Sequence, residues 1–349
     1  MQGGDPAWVP PLLIDQKSRF SPRYPFYEHG EVASFLARRT QNGPVVGRIC
    51  AVVNRLHNET HHDHVGFFGF FDSENDLAVA AALVERAADF LRERGCDTIR
   101  GPMNFSTNDE IGMLVDGFDT PPTIMSNHNP PYYNDLLQAC GFVKANDLLA
   151  YEMSQGQIDD RVLRIGEKLE QKNILRIRPF NKRDFWGEVD RVFEVYNHAW
   201  EANWGFVPMS RREVKLIAQT LRLIYDPRLV FFAEDEVGKP VGFCLSLPDI
   251  NVIVKRMNGR LLPLGIFRLL LGLRRINRLR VWGLGVHRDY RGRGIDTMFY
   301  CRTYGTATAL GFKWGEFSWI LEDNKPMNDM ALAMGSKPYK RWRVWERST

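Results

Sequence analysis

Val281-Trp282-Gly283-Leu284-Gly285-Val286-His287-Arg288-Asp289-Tyr290-Arg291-Gly292-Arg293-Gly294-Ile295-Asp296-Thr297 is the stretch on which the reading of this chain turns. Apolar residues run from Val281 to Val286, a turn rich in Arg and Gly follows, and a helical pattern opens at Ile295. Glycine lets a backbone approach a ligand closely, and the free N–H groups and positive end of a helix attract a pyrophosphate. Arg288, Arg291 and Arg293 add charge-assisted contacts from their side chains. A plain surface turn before an ordinary helix has the same composition, so the neighbouring elements must decide between the two readings.

On the N-terminal side of that stretch, a strand over 175–179 and helices over 183–199 and 211–224 lead to a hairpin, Val230–Glu234 and Val241–Leu247, around Gly238-Lys239-Pro240. On its C-terminal side the pattern predicts a helix over 295–310, a strand over 315–321, a helix over 327–334 and a last strand over 339–345. The first part of the chain reads in a similar order. It has a hairpin over 32–39 and 45–54, a strand over 65–71 and a helix over 77–93 capped by Asn75-Asp76. A strand at 98–100, a helix over 132–140 and a strand over 148–153 complete it, and the polar segment 154–173 reads as a linking helix. A chain of 349 residues suits two α/β units with mixed sheets, 1–155 and 156–349. No sequence period accompanies the shared order, so the duplication rests on element order alone.

The strand–turn–helix stretch resembles the thioester-binding motif of the GNAT N-acetyltransferase superfamily. That motif is Gln or Arg, two residues, Gly, one residue, then Gly or Ala at a helix start. Arg291 and Gly294 match its first two fixed positions, and Asp296 stands at the third. The resemblance covers residues 174–349 in element order. It implies two tandem GNAT-like acyl-CoA N-acyltransferase folds, the N-terminal one degenerate, similar to bacterial GNAT-type N-acyltransferases. It further implies that Leu284, Gly285 and Val286 pair with the pantetheine arm of acetyl-CoA or a longer acyl-CoA. Arg288, Arg291, Gly292, Arg293, Gly294, Ile295, Asp296 and Thr297 would then surround the pyrophosphate. The carboxylate of Asp296 either complements the helix start or marks a different thioester donor, such as an acyl carrier protein.

Amide formation needs a base for the incoming amine and an acid for the leaving thiolate. The family's acid, a Tyr four residues before the Gly that closes the last helix, falls here on Ala331. Any catalytic group must come from elsewhere: as base, Glu322, at the end of the strand facing the thioester strand, comes first unless it caps the next helix, Glu316 second, with Asn324 as a hydrogen-bonding partner. Direct attack with water relaying the proton is the alternative. An aromatic cluster between two helices, with His198 and Trp204, covers the acceptor side in GNAT-like folds, or else is a packed corner.

In the first unit, Asp72-Ser73-Glu74-Asn75-Asp76 occupies the phosphate-loop position, and its carboxylates repel a pyrophosphate. Thioester binding is therefore expected to be lost there. The long polar stretch from Gly101 to Pro131 is placed between the units, with Asn104, His128 and Tyr132 as substrate-binding candidates. His57, His61, His62, Asp63 and His64 read as a solvated loop, and no metal site is expected.

Five cysteines without a CxxC pair fit a reducing cytosol, and the start of the chain lacks a signal-peptide pattern. Net charge is +4, yet residues 251–280 hold eight of the basic residues and none of the acidic ones. Leucines are interleaved with these charges over 251–278, an insert where GNAT folds have a short turn. The composition suits a helix on an anionic membrane at the inner face, the docking of an acidic acyl carrier protein, or a helix packed on the other unit with snorkelling arginines. With the motif, it resembles the GNAT-type lipid N-acyltransferases, including enzymes of the bacterial ceramide synthase kind, and implies a long-chain amine or amino lipid as acceptor. A non-catalytic acyl-CoA-binding module and an aminoacyl-tRNA-dependent transferase are the competing readings, although no RNA-stacking aromatic platform stands out.

Overall fold

A computed structural model describes residues 3–172 and 175–349. Its strands are β1 (Gly30–Arg38), β2 (Val45–Asn54), β3 (Val65–Ser73), β4 (Thr98–Gly101), β5 (Met113–Asp116), β6 (Val143–Ser154), β7 (Arg176–Pro179), β8 (Val230–Glu234), β9 (Pro240–Pro248), β10 (Arg278–Val286), β11 (Trp314–Leu321) and β12 (Lys337–Ser348). The helices are α1 (Leu13–Arg19), α2 (Arg55–His61), α3 (Leu77–Arg92), α4 (Tyr132–Ala139), α5 (Asp160–Gln171), α6 (Phe185–Ala199), α7 (Arg211–Leu221), α8 (Asn251–Val254), α9 (Gly265–Leu273), α10 (Ile295–Ala309) and α11 (Lys325–Ala333). Local signals explain many of them. Asp76 caps α3 by accepting from the amide of Ala78, and Val79, Leu83, Ala87 and Leu91 bury one stripe of that helix. Ser210 and Glu213 close a reciprocal capping box on α7.

One mixed sheet runs through the molecule in the order β1-β2-β3-β4-β12-β6-β11-β10-β9-β8-β7, with β5 pairing β12. This confirms the α/β, tandem GNAT-like architecture. The two halves meet by exchanging their last strands. β6, which follows the helices of the first half, pairs with β11 of the second, while β12 pairs with β4 and β5 of the first. β6 and β12 then pair with each other through the centre, where Trp342 is fully buried and Arg343 forks onto Asp147 at 2.8 and 2.9 Å.

Several expectations need correction. The strand expected over 148–153 begins at Val143, because β12 and β11 flank it along its length. The Gly101–Pro131 stretch contains β5, held by β12. The histidine cluster is no solvated loop: α2 carries His57 into the interior, 1% exposed, against Phe67. Burial pulls that imidazole down to about 4, so it stays neutral at pH 7. The basic insert is two short helices, α8 and α9, because Asn258 and Gly259 turn the chain at positive φ between them.

Candidate active site

β10 and β11 run parallel from Arg278/Trp314 to Val281/Phe317 and then part. Beyond that point β11 is held by β6 and β10 by β9, so the edge of β10 that faced β11 has no strand partner. A register shift between Val281 and Gly283 puts Trp282 and Gly283 together on the wall of a cavity. Such a bulge re-aims side chains locally. A Cβ on Gly283 would meet nothing closer than 3.5 Å, whereas one on Gly285 would come within 2.9 Å of Ala199. Glycine at 285 therefore lets α6 lie directly against the strand.

At the C-terminal end of β10 the chain turns through Gly292 and Gly294, both at positive φ (74° and 77°), into α10. A Cβ on Gly292 would point into open space, while one on Gly294 would sit 2.5 Å from Leu169. Turns of this kind aim successive amides at one point, and the first turn of a helix leaves its amides without internal acceptors. Arg291 does not reach outward freely: its guanidinium donates to the carbonyls of Ala199 and Val286, tying the end of α6 to the end of β10. Arg293 lies over Tyr290, and Arg288 pairs with Glu201 at 3.3 Å, both exposed to solvent. Ile295 and Thr297 are buried beneath the turn. Asp296 lies in the first turn of α10, where its carboxylate accepts from the amide of Thr297 at 2.9 Å and complements the helix dipole. In the first half, the corresponding helix start carries Arg39 on Glu74 and Asp76, at 2.9 and 3.0 Å, and Arg48 on Asp72. Its carboxylates are thus engaged with cations of the same half. Gly294→Ala is expected to destabilise the fold by about 1–3 kcal/mol, because the positive φ and the Leu169 contact both resist a methyl group. Denaturant unfolding of the wild type and the variant checks the effect.

Below the fork opens a cavity of about 250 Å³. Its apolar walls include Val192, Trp200, Phe206, Val214 and Ala218 of the α6–α7 layer, with Leu245, Trp282, Trp319 and Leu321 from the sheet. One side comes from the first half: Thr107, Asn108, Asp109, Glu110 and Arg19. That loop is laced to the α6–α7 connection, since Thr107 donates to the Gly205 carbonyl and Asn108 to that of Val207, at 2.8 and 3.1 Å. Tyr196 donates to Asn108 in turn. Asp109 accepts from Arg19 at 2.8 Å, and Glu110 lies 3.3 Å from the same guanidinium. Burial pushes the Asp109 carboxyl up to about 7, with Glu110 and Glu213 adding to the rise and Arg19 opposing it.

The remaining candidates fall in different places. Trp204 lines the cavity, with Arg100 over its ring. Asn104 stands one layer behind, accepting from the Phe70 amide at 2.8 Å and donating to Glu110 at 3.0 Å. His198 is an exposed residue beside His287. His128 is buried against Asp5, and the Tyr132 hydroxyl donates to the Ser73 carbonyl inside the first half; neither lines the cavity.

Side chains alternate along a strand, so Trp319 and Leu321 facing the cavity send Glu322 to the other side. There it pairs with Lys144 at 2.6 Å and accepts from the Asp147 amide. Asn324 caps α11. Glu316 is fully buried, accepting from Thr123, Ser318 and Tyr339 and lying 3.6 Å from Arg280. Asp109 was missed because a lone Asp in a polar loop has no spacing signature. Its altered acidity comes from burial, with Glu213 of α7 adding to the rise from more than a hundred residues away along the chain.

No family model matches the chain. It is 35% identical, over 99% of its own length and 91% of the relative's, to a bacterial ceramide synthase from Caulobacter vibrioides. It is 32% identical to Protein YghO of Escherichia coli K12, over 98% of this chain and 89% of that one. Among solved structures, a tandem GNAT protein from the clavulanic acid biosynthesis pathway superposes with a TM-score of 0.56, covering 99% of this chain and 90% of that one at 14% identity. A GCN5-related N-acetyltransferase from Sphaerobacter thermophilus gives a TM-score of 0.53 at 13% identity, covering 90% of this chain and 80% of that one. The forked strand, the glycine turn and these relationships place the chain, an acyltransferase with a tandem GNAT fold, in the family of the Caulobacter bacterial ceramide synthase and Protein YghO.

Proposed function

We propose that this acyltransferase moves an acyl group from a CoA thioester to the amino group of a long-chain amine or amino lipid, with the acceptor chain in the apolar cavity. The observation that carries this reading is the cavity itself. It is lined largely by aromatic and aliphatic side chains, lies directly below the open edge of β10, and has an acidic flank at Asp109 and Glu110 beside Arg19. An amine tail buried among Val192, Val214 and Ala218 leaves its nitrogen at a polar end. A ceramide is an amide of a fatty acid with a long-chain amino alcohol, so the name of the Caulobacter relative fits the same bond.

The chemistry then follows from the chain's own groups. The thioester lies along Leu284, Gly285 and Val286, with its diphosphate at the Gly292–Thr297 turn. Asp109 takes the proton from the acceptor ammonium, and the freed nitrogen attacks the thioester carbonyl carbon. As the C–N bond forms and the C–S bond breaks, the nitrogen's second proton passes through solvent to the departing thiolate, which needs no acid from the protein because an alkyl thiol has a pKa of about 8.5. That accommodates Ala331 at the position of the family's tyrosine. CoA fits the glycine turn, and a carrier-protein thioester is the alternative donor. Peripheral contact with the inner membrane face through residues 255–278 would bring the acceptor within reach.

The test is thiol release and mass spectrometry of products with acetyl-CoA, palmitoyl-CoA and a palmitoyl carrier protein, each offered a short polar amine or a C18 amino alcohol. The N-palmitoyl product of the long amine is expected. Turnover confined to short polar amines, or none with any donor, overturns the reading. Ala218→Trp fills the middle of the cavity and is expected to lower kcat/KM for the long amine by about tenfold or more, while sparing a short apolar amine.

A further inference from the structure

We infer that α9 and α1 together form a docking face for an anionic phospholipid bilayer, an inference that rests on the long-chain acceptor reading. Helix α9 has two opposite stripes. Leu269 and Leu273, four residues apart, pack inward, while Leu264, Phe267 and Leu271 follow helical spacing on the outside. Those three are 68%, 62% and 76% exposed, an unusual degree for large apolar side chains on one stripe. Leu262 and Leu270 extend the patch.

The N-terminal segment enlarges it. The amide of Leu13 donates to the Gly259 carbonyl at 2.9 Å, Lys255 donates to the Pro6 carbonyl, and a Cβ on Gly259 would collide with the Pro11 carbonyl. These contacts seat α1 beside the insert, where Leu13 and Ile14 are also exposed.

Charge selects the occupant. Lys255, Arg256, Arg260, Arg268, Arg274 and Arg275 are all exposed, and among the described residues none pairs with a carboxylate. Exposed leucines amid unpaired arginines are what an interfacial helix presents to anionic headgroups, with apolar side chains entering the acyl boundary. No helix among the described residues is long and apolar enough to cross a membrane. The inward stripe of α9 belongs to the same packed cluster as Leu221, Tyr225, Leu245 and Trp282, which line the cavity. The docked face is thus one packed layer from the chamber assigned to the acceptor.

The experiment is co-sedimentation of the full chain with sucrose-loaded vesicles of phosphatidylglycerol and phosphatidylcholine, or of phosphatidylcholine alone. Binding to the anionic vesicles is expected, falling by about tenfold or more without phosphatidylglycerol, at high salt, or in the double variant Phe267→Glu/Leu271→Glu. The variant should bind acetyl-CoA with unchanged affinity, which shows that it is folded. Equal sedimentation of wild type and variant overturns the inference. So does a wild-type dimer by light scattering that the variant dissolves, which would make the face a contact between copies. Vesicle binding needs no substrate and the turnover assay in detergent needs no bilayer, so failure of the docking face and failure of the acceptor reading remain distinguishable.

Discussion

Asp109→Asn is expected to lower kcat by about 10²- to 10⁴-fold while leaving the protein folded and its affinity for acyl-CoA unchanged. The amide keeps the shape of the carboxylate but accepts no proton. Arg19, the cation beside it, retains Asp15 and Glu110 as partners, so no buried charge is left uncompensated. Asp109 also lies away from the glycine turn proposed to hold the diphosphate. The pH profile makes the test specific. Burial holds the carboxyl at about 7, with Arg19 and Asp15 from α1, the adjacent Glu110, and Glu213 from α7 as the charged groups around it. Below that pH the group is protonated and cannot serve as a base. The rate should therefore climb about tenfold per pH unit up to about 7 and then level. The Asn variant should lose that limb. A variant with wild-type kcat and the same profile would remove Asp109 from the mechanism.

Glu316→Gln is expected to cost about 3–5 kcal/mol of stability, measured by denaturant unfolding, and to affect activity only through folding. Glu316 and Arg280 are both buried below the fork, 3.6 Å apart. Arg280 donates to the carbonyl of Ile124 at 2.6 Å, and burial pulls its guanidinium below the ordinary value. Removing the carboxylate's charge leaves that cation buried without its counter-ion, and Gln also replaces one of the oxygens that accept from Thr123, Ser318 and Tyr339. If Glu316 were instead the base, the same substitution would abolish turnover with unfolding unchanged. Glu316 and Asp109 thus make opposite predictions in the same pair of measurements.

The glycine turn between β10 and α10 was legible in the sequence because its information is local. Glycines at 292 and 294 answer to backbone φ, and the apolar run before them to the strand period; neither depends on distant residues. The same holds for most elements, whose caps and periodicities sit within a few residues of one another. The insert's composition was equally plain, though Asn258 and Gly259 divide it into two helices. What the sequence could not give was partnership. Nothing in Val143–Ser154 or Lys337–Ser348 says that these strands exchange between halves, because either half offers each of them an open edge of the same hydrogen-bonding pattern. Glu316 and Glu322 looked alike as carboxylates near a strand end. Only the folded chain sends one into a buried knot of hydroxyls and the other onto Lys144. Asp109 gained its altered acidity from groups brought together by the packing of α1, the first-half loop and α7. Burial and the charge around a residue are properties of what lies beside it in space, and that is where sequence alone stops.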